Sequence, residues 1–107
     1  MGVFHVGGCG RIWAGLKMES VMKFEWDENK SESNKIKHGV DFEGAQLLWE
    51  DCDRVEIAIQ SEGEQRYLTI GLMHNKHWTA IITYRESNVR LISVRRSRTD
   101  EVRIYEN

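Results

Sequence analysis

The chain has 107 residues, 40% of them apolar and 30% charged, which is the composition of a single soluble globular domain. It contains no run of eighteen apolar residues and no secretory signal pattern, so the sequence excludes membrane transport and predicts a cytoplasmic protein without a membrane partner. The net charge of −2 conceals a partition, because it is +1 over residues 1–21, −7 over 22–65 and +4 over 66–107. An acidic front half therefore precedes a basic back half.

The cysteine and histidine positions do not predict a metal centre. Neither Cys9 nor Cys52 has a second cysteine two residues away, and the histidines at 5, 38, 74 and 77 follow no zinc-ligand spacing. The two cysteines could in principle pair with each other. Two cysteines in a cytosolic chain are normally free thiols. The sequence therefore predicts no metal, no other cofactor and no disulfide.

Residues 1–21 are predicted to be an N-terminal extension that is disordered or outside the native domain. Five of the nine glycines fall in this segment, which stops just before Met22. The alternative is an additional edge strand that uses Phe4, Val6, Ile12 and Trp13. The domain itself is expected to span residues 22–107.

The first part of the domain predicts a short strand at Lys23–Trp26 and then two helices. Asp27 is an N-cap residue for a polar helix over Glu28–His38, which Gly39 ends by offering the left-handed conformation. Asp41 caps a second helix. Residues at three- and four-residue spacing give this second helix an apolar stripe, formed by Phe42, Ala45, Leu48 and Trp49.

From Arg54 onward the hydrophobic period changes to two, which predicts strands. Turns are expected at Ser61–Glu64, His74–His77 and Glu86–Asn88, so that four strands form an antiparallel meander. A short helix begins at Thr99. The predicted fold class is α+β, with a compact antiparallel sheet of four to five strands, two N-terminal helices and a short C-terminal helix.

Arginines concentrate in the last predicted strand. The segment Val89–Arg98 contains four of them, and Arg85 lies just before it. Because a guanidinium binds phosphate oxygens in a bidentate manner, this pattern favours a polyanion such as nucleic acid. Strand alternation places Arg95 and Arg96 on opposite faces. The alternative is that these arginines are solvated or pair with the acidic helices.

Histidine and tyrosine side chains offer candidates for proton transfer. His38 follows Lys37 at the end of the first helix, and histidine can act as a general acid or base. An exposed capping role at the helix terminus is the competing interpretation. Tyr67 and Tyr105 could stack on a base or donate a phenolic proton, although tyrosines in such elements are more often packing residues.

These residues belong to a longer pattern that resembles the BrnT family of bacterial toxins. The resemblance covers residues 22–107. Its opening is formed by Phe24–Asp27, Lys30, Asn34, Lys37–Val40, Phe42 and Ala45. It continues through Gly63, Glu64, Arg66, Leu68, Ile70, Gly71, Tyr84, Ile92–Arg96, Glu101 and Tyr105.

The resemblance implies a RelE-like, metal-independent endoribonuclease toxin of a type II toxin–antitoxin module. It further implies neutralisation by direct binding of a BrnA-type antitoxin, with RNA or ribosome-associated mRNA as substrate. No basic recognition helix is evident in the sequence, because both early helices are acidic or mixed, so operator DNA is expected to be contacted only through the antitoxin. The catalytic assignment is cationic stabilisation by Arg66, Arg95 and Arg96, with His38 or Tyr105 in proton transfer. The expected substrate contacts are Lys37, Arg85, Arg98 and Tyr67.

Two other functions remain open from the sequence. The chain could be a non-catalytic binding module that assists operator repression, or a degenerate toxin that binds the antitoxin and no longer cleaves RNA. A net charge of −2 opposes non-specific RNA binding, because RNA affinity depends mainly on phosphate neutralisation. A nuclease function therefore requires a locally basic surface.

Overall fold

The computed structural model describes residues 3–5 and 22–107, which form an α+β fold. In chain order its elements are β1 (Val3–His5), β2 (Phe24–Glu25), α1 (Glu28–His38), α2 (Phe42–Ala45), a 3₁₀ helix (Gln46–Glu50), β3 (Val55–Ile59), β4 (Arg66–Met73), β5 (Lys76–Arg85), β6 (Asn88–Arg96) and α3 (Thr99–Glu106). The predicted fold class is confirmed. Within the described residues no helix has the length and apolar character needed to cross a membrane.

The strands form one mixed sheet in the order β1-β3-β4-β5-β6-β2. The central meander is antiparallel as predicted, while β2 pairs with β6 in parallel. The described part of the sheet has six strands rather than four to five: β2 is the strand predicted at Lys23–Trp26, and the short strand β1 adds the sixth at the opposite edge. Phe24 and Glu25 are placed beside Val89 and Arg90 by the β2–β6 pairing.

Local side-chain chemistry explains both helix starts. Asp27 accepts a hydrogen bond from the Asn29 N–H at 2.8 Å, and Asp41 accepts one from the Gly44 N–H at 2.8 Å. Gly39 ends α1 with φ of 87°, in the left-handed region. These three predictions are confirmed.

The second predicted helix is shorter than one continuous α-helix, because α2 tightens into the 3₁₀ helix after Ala45. Phe42, Ala45 and Leu48 are all 0% exposed. Their three-residue spacing keeps them on one side of a helix with three residues per turn. The apolar stripe is therefore buried in a tighter helical geometry than the 3.6-residue period predicts.

Two tight hairpin turns set the register of the sheet. His74 and Asn75 have φ of 56° and 63°, and Glu86 and Ser87 have φ of 50° and 75°. Two consecutive residues in the left-handed region match the two-residue hairpin turns that fit the twist of a sheet. The predicted turn at His74–His77 is thus too long, and His77 belongs to β5.

The two faces of the sheet are covered by different helices. On the helix face, α1, α2 and the 3₁₀ helix pack against the larger core cluster, in which Phe42, Leu48, Ile82, Leu91 and Val94 are buried. On the opposite face, here called the α3 face, Ile104 and Tyr105 of α3 pack against Val55, Ile57 and Ile70. Successive side chains of a strand alternate between these two faces.

Polar side chains attach α1 to the rest of the domain. Ser31 and Asn34 are its buried residues, and the Ser31 hydroxyl accepts a hydrogen bond from the Phe42 N–H at 2.9 Å. The Asn34 amide donates to the Val94 carbonyl at 2.8 Å and accepts from the Val94 N–H at 3.0 Å. It also donates to the Val40 carbonyl at 2.9 Å. The Asn34 side chain therefore pairs with the N–H and carbonyl groups of Val94 at the edge of β6, as the backbone of a neighbouring strand would.

Replacing Asn34 by alanine is expected to lower the free energy of unfolding by about 3 kcal/mol, because it leaves buried polar groups of the Val94 backbone without partners. Urea unfolding followed by circular dichroism measures the change. The matched control is Asn29→Ala, at an exposed position of the same helix, which should stay within about 0.5 kcal/mol of the parent. Equal stability of the two variants would contradict this role of Asn34.

The described part of the predicted extension is strand β1, which pairs antiparallel with β3. Phe4 lies in this strand opposite Glu56. Its position agrees with the alternative prediction, in which Phe4 belongs to an additional edge strand. Val6, Ile12 and Trp13 lie outside the described residues.

The prediction of free thiols is wrong for Cys52, which is disulfide-bonded. That prediction rested on the expected cellular compartment and not on any structural feature of the chain.

Candidate functional site

The strand register distributes the predicted site residues over both faces of the sheet. Arg66 is opposite Thr83 and Arg95 is opposite Thr79, and both arginines lie on the α3 face. Arg85 extends from the same face at the end of β5, where its guanidinium is 3.5 Å from Glu64 and half exposed. Arg98 is exposed and directly precedes α3.

Tyr67 and Arg96 lie on the helix face and are therefore separated from these arginines. The Tyr67 ring meets the Tyr84 ring at a centroid distance of 5.4 Å and packs against the larger core cluster. The Arg96 guanidinium lies 5.7 Å from the centroid of the Trp78 ring, and its Nε donates to the His77 carbonyl. The structure thus does not bring Tyr67 and Arg96 together with Arg66 and Arg95.

Arg95 is engaged by a carboxylate of α3. Its two terminal nitrogens donate to the two oxygens of Glu101, each at 2.8 Å, and the side chains of the pair are 17% and 7% exposed. Glu101 also accepts from the Thr79 hydroxyl at 3.0 Å and the Arg98 N–H at 2.8 Å. Although burial alone raises the pKa of Glu101, these hydrogen bonds lower it to about 2. The pair anchors α3 to the sheet as a buried ion pair.

Tyr105 is engaged in a second anchor of the same helix. Its hydroxyl donates to Asp51 Oδ2 at 2.6 Å, and the same oxygen accepts the Leu72 N–H at 2.7 Å. Burial and the hydrogen bond to Asp51 raise the pKa of Tyr105. The ring of Tyr105 also meets the edge of the His77 ring at 5.2 Å. Its proton is therefore held by a carboxylate in this structure.

Lys37 and His38 contribute to a groove between α1 and the edge of β6. The groove has a volume of about 170 Å³ and is lined by Lys30, Ser33, Asn34, Lys37, His38, Ile92 and Ser93. These residues include three basic side chains and no carboxylate. Lys30 and Lys37 have long side chains that can change position within the groove. The backbone on either side of the groove is fixed, because the hydrogen bonds of Asn34 to Val94 hold α1 against β6.

A register shift in the sheet shapes the β6 side of this groove. Ile81 is opposite Ser93 and Ile82 is opposite Leu91, so Ile92 is an extra residue without a counterpart in β5. A β-bulge of this kind bends a strand and redirects side chains, and bulges are frequent beside functional sites. Ile92 and Ser93, which lie at this bulge, both line the groove.

Arg66 lies on the α3 face and is not neutralised by an ion pair within the described residues. Its Nε atom is buried and has no hydrogen-bond partner, and no carboxylate within residues 3–5 and 22–107 forms an ion pair with it. Ser93 of β6 lies in the same cross-strand row as Leu68 of β4, two strands away, and Arg66 is two residues before Leu68. The Cα atoms of Arg66 and Ser93 are therefore about 12 Å apart. A long arginine side chain can span much of that distance.

Several residues near the groove were not predicted. Lys30 is seven residues before Lys37, and this spacing places both on the same side of a helix. The spacing could have indicated that Lys30 belongs to the same site as Lys37. Ser93 depends on the bulge, which has no sequence signal here. Among the described residues, no group of three or more histidine, cysteine, aspartate or glutamate side chains could hold a metal ion.

The sequence was compared with known proteins. A family model described as the ribonuclease toxin BrnT of type II toxin–antitoxin systems matches residues 26–101, from just before α1 into α3. The matched range contains the groove and the Arg95–Glu101 pair. A search of curated proteins gave no match. The chain therefore belongs to the BrnT family of ribonuclease toxins of type II toxin–antitoxin systems.

Proposed function

We propose that the chain is a metal-independent endoribonuclease that acts in the cytoplasm, with the groove and the neighbouring Arg66 as its active site. The observation that carries this location is the groove itself, where Lys30, Lys37 and His38 line a cleft without any carboxylate. Such a cleft attracts the phosphates of RNA although the whole chain carries a net charge of −2. Family membership supports ribonuclease activity as the reaction class.

Cleavage without a metal requires a base, cations and an acid. In the proposed reaction the ribose 2′-oxygen loses its proton to His38 and attacks the adjacent phosphorus, while the bond from phosphorus to the 5′-oxygen breaks. The leaving 5′-oxygen takes up a proton from water, which acts as the acid, and a 2′,3′-cyclic phosphate remains on the upstream fragment. Lys37 and Arg66 stabilise the additional negative charge on the phosphate oxygens in the transition state.

The other predicted site residues contribute less in this arrangement. Arg95 and Tyr105 would reach RNA only if Glu101 and Asp51 released them. Arg85 and Arg98 can bind more distant phosphates of the RNA from their exposed positions. Tyr67 and Arg96 face the other side of the sheet and have no role in this proposal.

We also propose that a BrnA-type antitoxin binds the chain directly and provides all contacts to operator DNA. The type II classification of the family implies a protein antitoxin and an RNA target. The helix α1 is mixed in charge, with three lysines and two glutamates, and α2 has one glutamate and no basic residue, so neither resembles a basic recognition helix. The proposed toxin domain spans residues 22–107, with residues 1–21 as an extension.

A second candidate is a degenerate toxin that binds the antitoxin and does not cleave RNA. The engagement of Arg95 by Glu101 and of Tyr105 by Asp51 favours this alternative, because two basic or proton-donating groups are already bonded within the fold.

Induced expression in bacteria separates the two candidates. The proposed function predicts growth arrest, transcript cleavage at defined positions and rescue by co-expression of the neighbouring antitoxin gene. Purified protein should cleave a short RNA equally fast with and without EDTA. Antitoxin binding without growth arrest or cleavage would support the degenerate toxin, and cleavage abolished by EDTA and restored by a divalent cation would refute metal independence.

A further inference from the structure

A second arginine lies in the same cross-strand row as Arg66. Arg66 is opposite Thr83 in the β4–β5 pair, and Thr83 is opposite Arg90 in the β5–β6 pair. Directly opposite residues point to the same face, so the two arginines flank Thr83 on the α3 face with about 10 Å between their Cα atoms. Arg90 also precedes the groove residues Ile92 and Ser93 on β6.

Glu25 of β2 fixes the position of the Arg90 guanidinium. The register places Glu25 beside Arg90, and Glu25 Oε2 accepts a hydrogen bond from Arg90 Nη1 at 3.2 Å. Glu25 Oε1 accepts a second one from the Asn88 side-chain amide at 3.3 Å. The side chains of Arg90 and Glu25 are 28% and 33% exposed, so both are partly buried. The carboxylate is thereby held from two sides.

The Arg90 ion pair differs from the Arg95 ion pair in the number of donors that it uses. Arg95 donates from both terminal nitrogens to Glu101, whereas Arg90 donates from Nη1 alone to Glu25. A guanidinium has five N–H donors. Within the part of the chain that the structure describes, the Nε and Nη2 groups of Arg90 have no hydrogen-bond partner, so Arg90 is positioned and still able to bind an anion.

We propose that Arg90 is a further phosphate-binding residue of the RNA site and that Glu25 positions it. The proposal rests on the proposed function, because it takes the RNA backbone as the anion. Arg66 and Arg90 then contact RNA phosphates from the two sides of Thr83, next to the cations of the groove. Glu25 reduces the local positive charge and in return holds the guanidinium toward the α3 face.

Replacing Arg90 by alanine is expected to weaken binding of a single-stranded oligoribonucleotide at least tenfold, because a charge-assisted bond to phosphate is lost. Fluorescence anisotropy at several salt concentrations measures the affinity. The slope of log affinity against log salt should fall by about 0.7 for each phosphate contact removed. Arg103→Ala, an exposed arginine on α3, is the charge-matched control and should leave the affinity and the slope close to the parent.

Substitution of Glu25 tests the positioning role, because that role and net charge predict opposite changes in RNA affinity. Removal of a carboxylate near bound RNA should strengthen binding if only net charge mattered. If Glu25 positions Arg90, Glu25→Ala should instead weaken binding severalfold, while Glu25→Gln should restore much of it, because the amide oxygen still accepts from Arg90. Thermal unfolding of each variant verifies that the domain is folded.

The outcomes separate this inference from the ribonuclease proposal. Equal RNA affinity of Arg90→Ala and Arg103→Ala would overturn the role of Arg90, as would the absence of any RNA binding by the parent chain at low salt. Tighter binding by Glu25→Ala would overturn the positioning role of Glu25. A parent chain that binds RNA through Arg90 and cleaves none would refute the nuclease and retain the binding site.

Discussion

Replacing Arg66 by alanine is expected to lower the rate of RNA cleavage by about a hundredfold to a thousandfold and to relieve growth arrest. A donor that stabilises charge developing in the transition state typically contributes this much. Arg66 fits the role because no carboxylate within the described residues forms an ion pair with its guanidinium. Single-turnover cleavage of a short fluorescent RNA measures the chemical step, and induced expression measures toxicity.

Companion variants distinguish the roles within the site. Arg66→Lys should recover only part of the activity, because lysine keeps the charge and loses the planar arrangement of donors. His38→Ala should lower the rate by about a hundredfold or more if His38 transfers a proton. Arg103→Ala is the control for loss of one positive charge. Full activity in the alanine variants of Arg66, Lys37 and His38 would refute this site without affecting family membership.

Replacing Glu101 by alanine is expected to lower the free energy of unfolding by about 3 kcal/mol, because Arg95 then loses its partner in a largely buried position. The pH dependence gives an independent measurement. The folded-state pKa of Glu101 is about 2, against an ordinary value of 4.5. Its ionisation therefore stabilises the fold above about pH 4.5, and this contribution is lost as the pH falls from 4.5 toward 2.

Urea unfolding at several pH values tests this assignment. The parent chain should lose stability between pH 4.5 and pH 2, and Glu101→Gln should lose less over the same range because it has no proton to bind. Glu62→Gln, at an exposed loop position, is the matched control and should follow the parent. Identical pH profiles of Glu101→Gln and the parent would show that the Arg95–Glu101 pair does not stabilise the fold.

Much of the fold was predictable from local sequence signals. Asp27 and Asp41 initiate helices through their own carboxylates, and Gly39 ends a helix through a conformation that few other residues adopt. The alternation after Arg54 predicts the meander because a half-buried strand repeats every two residues. These signals act over a few residues, so they do not depend on the rest of the fold.

The site was less predictable, because its members come together through pairing between distant segments. The motif that resembles the BrnT family indicated Lys37, His38 and Arg66, and the structure places the first two in one groove with Lys30. No sequence signal indicated the bulge at Ile92. The sequence also left Arg90 and Glu25 unassigned, since their proximity depends on the parallel pairing of β2 with β6.

The sequence by itself determined the α+β class, the N-caps of α1 and α2, the end of α1, the basic back half and the family. Only the tertiary structure decided which cations are available to a ligand. Arg95 and Arg66 have the same charge and lie on the same face of the sheet, yet α3 places Glu101 against the first and no described carboxylate against the second. The availability of a charge depends on what packs beside it, and that contact forms only when the helix docks on the sheet.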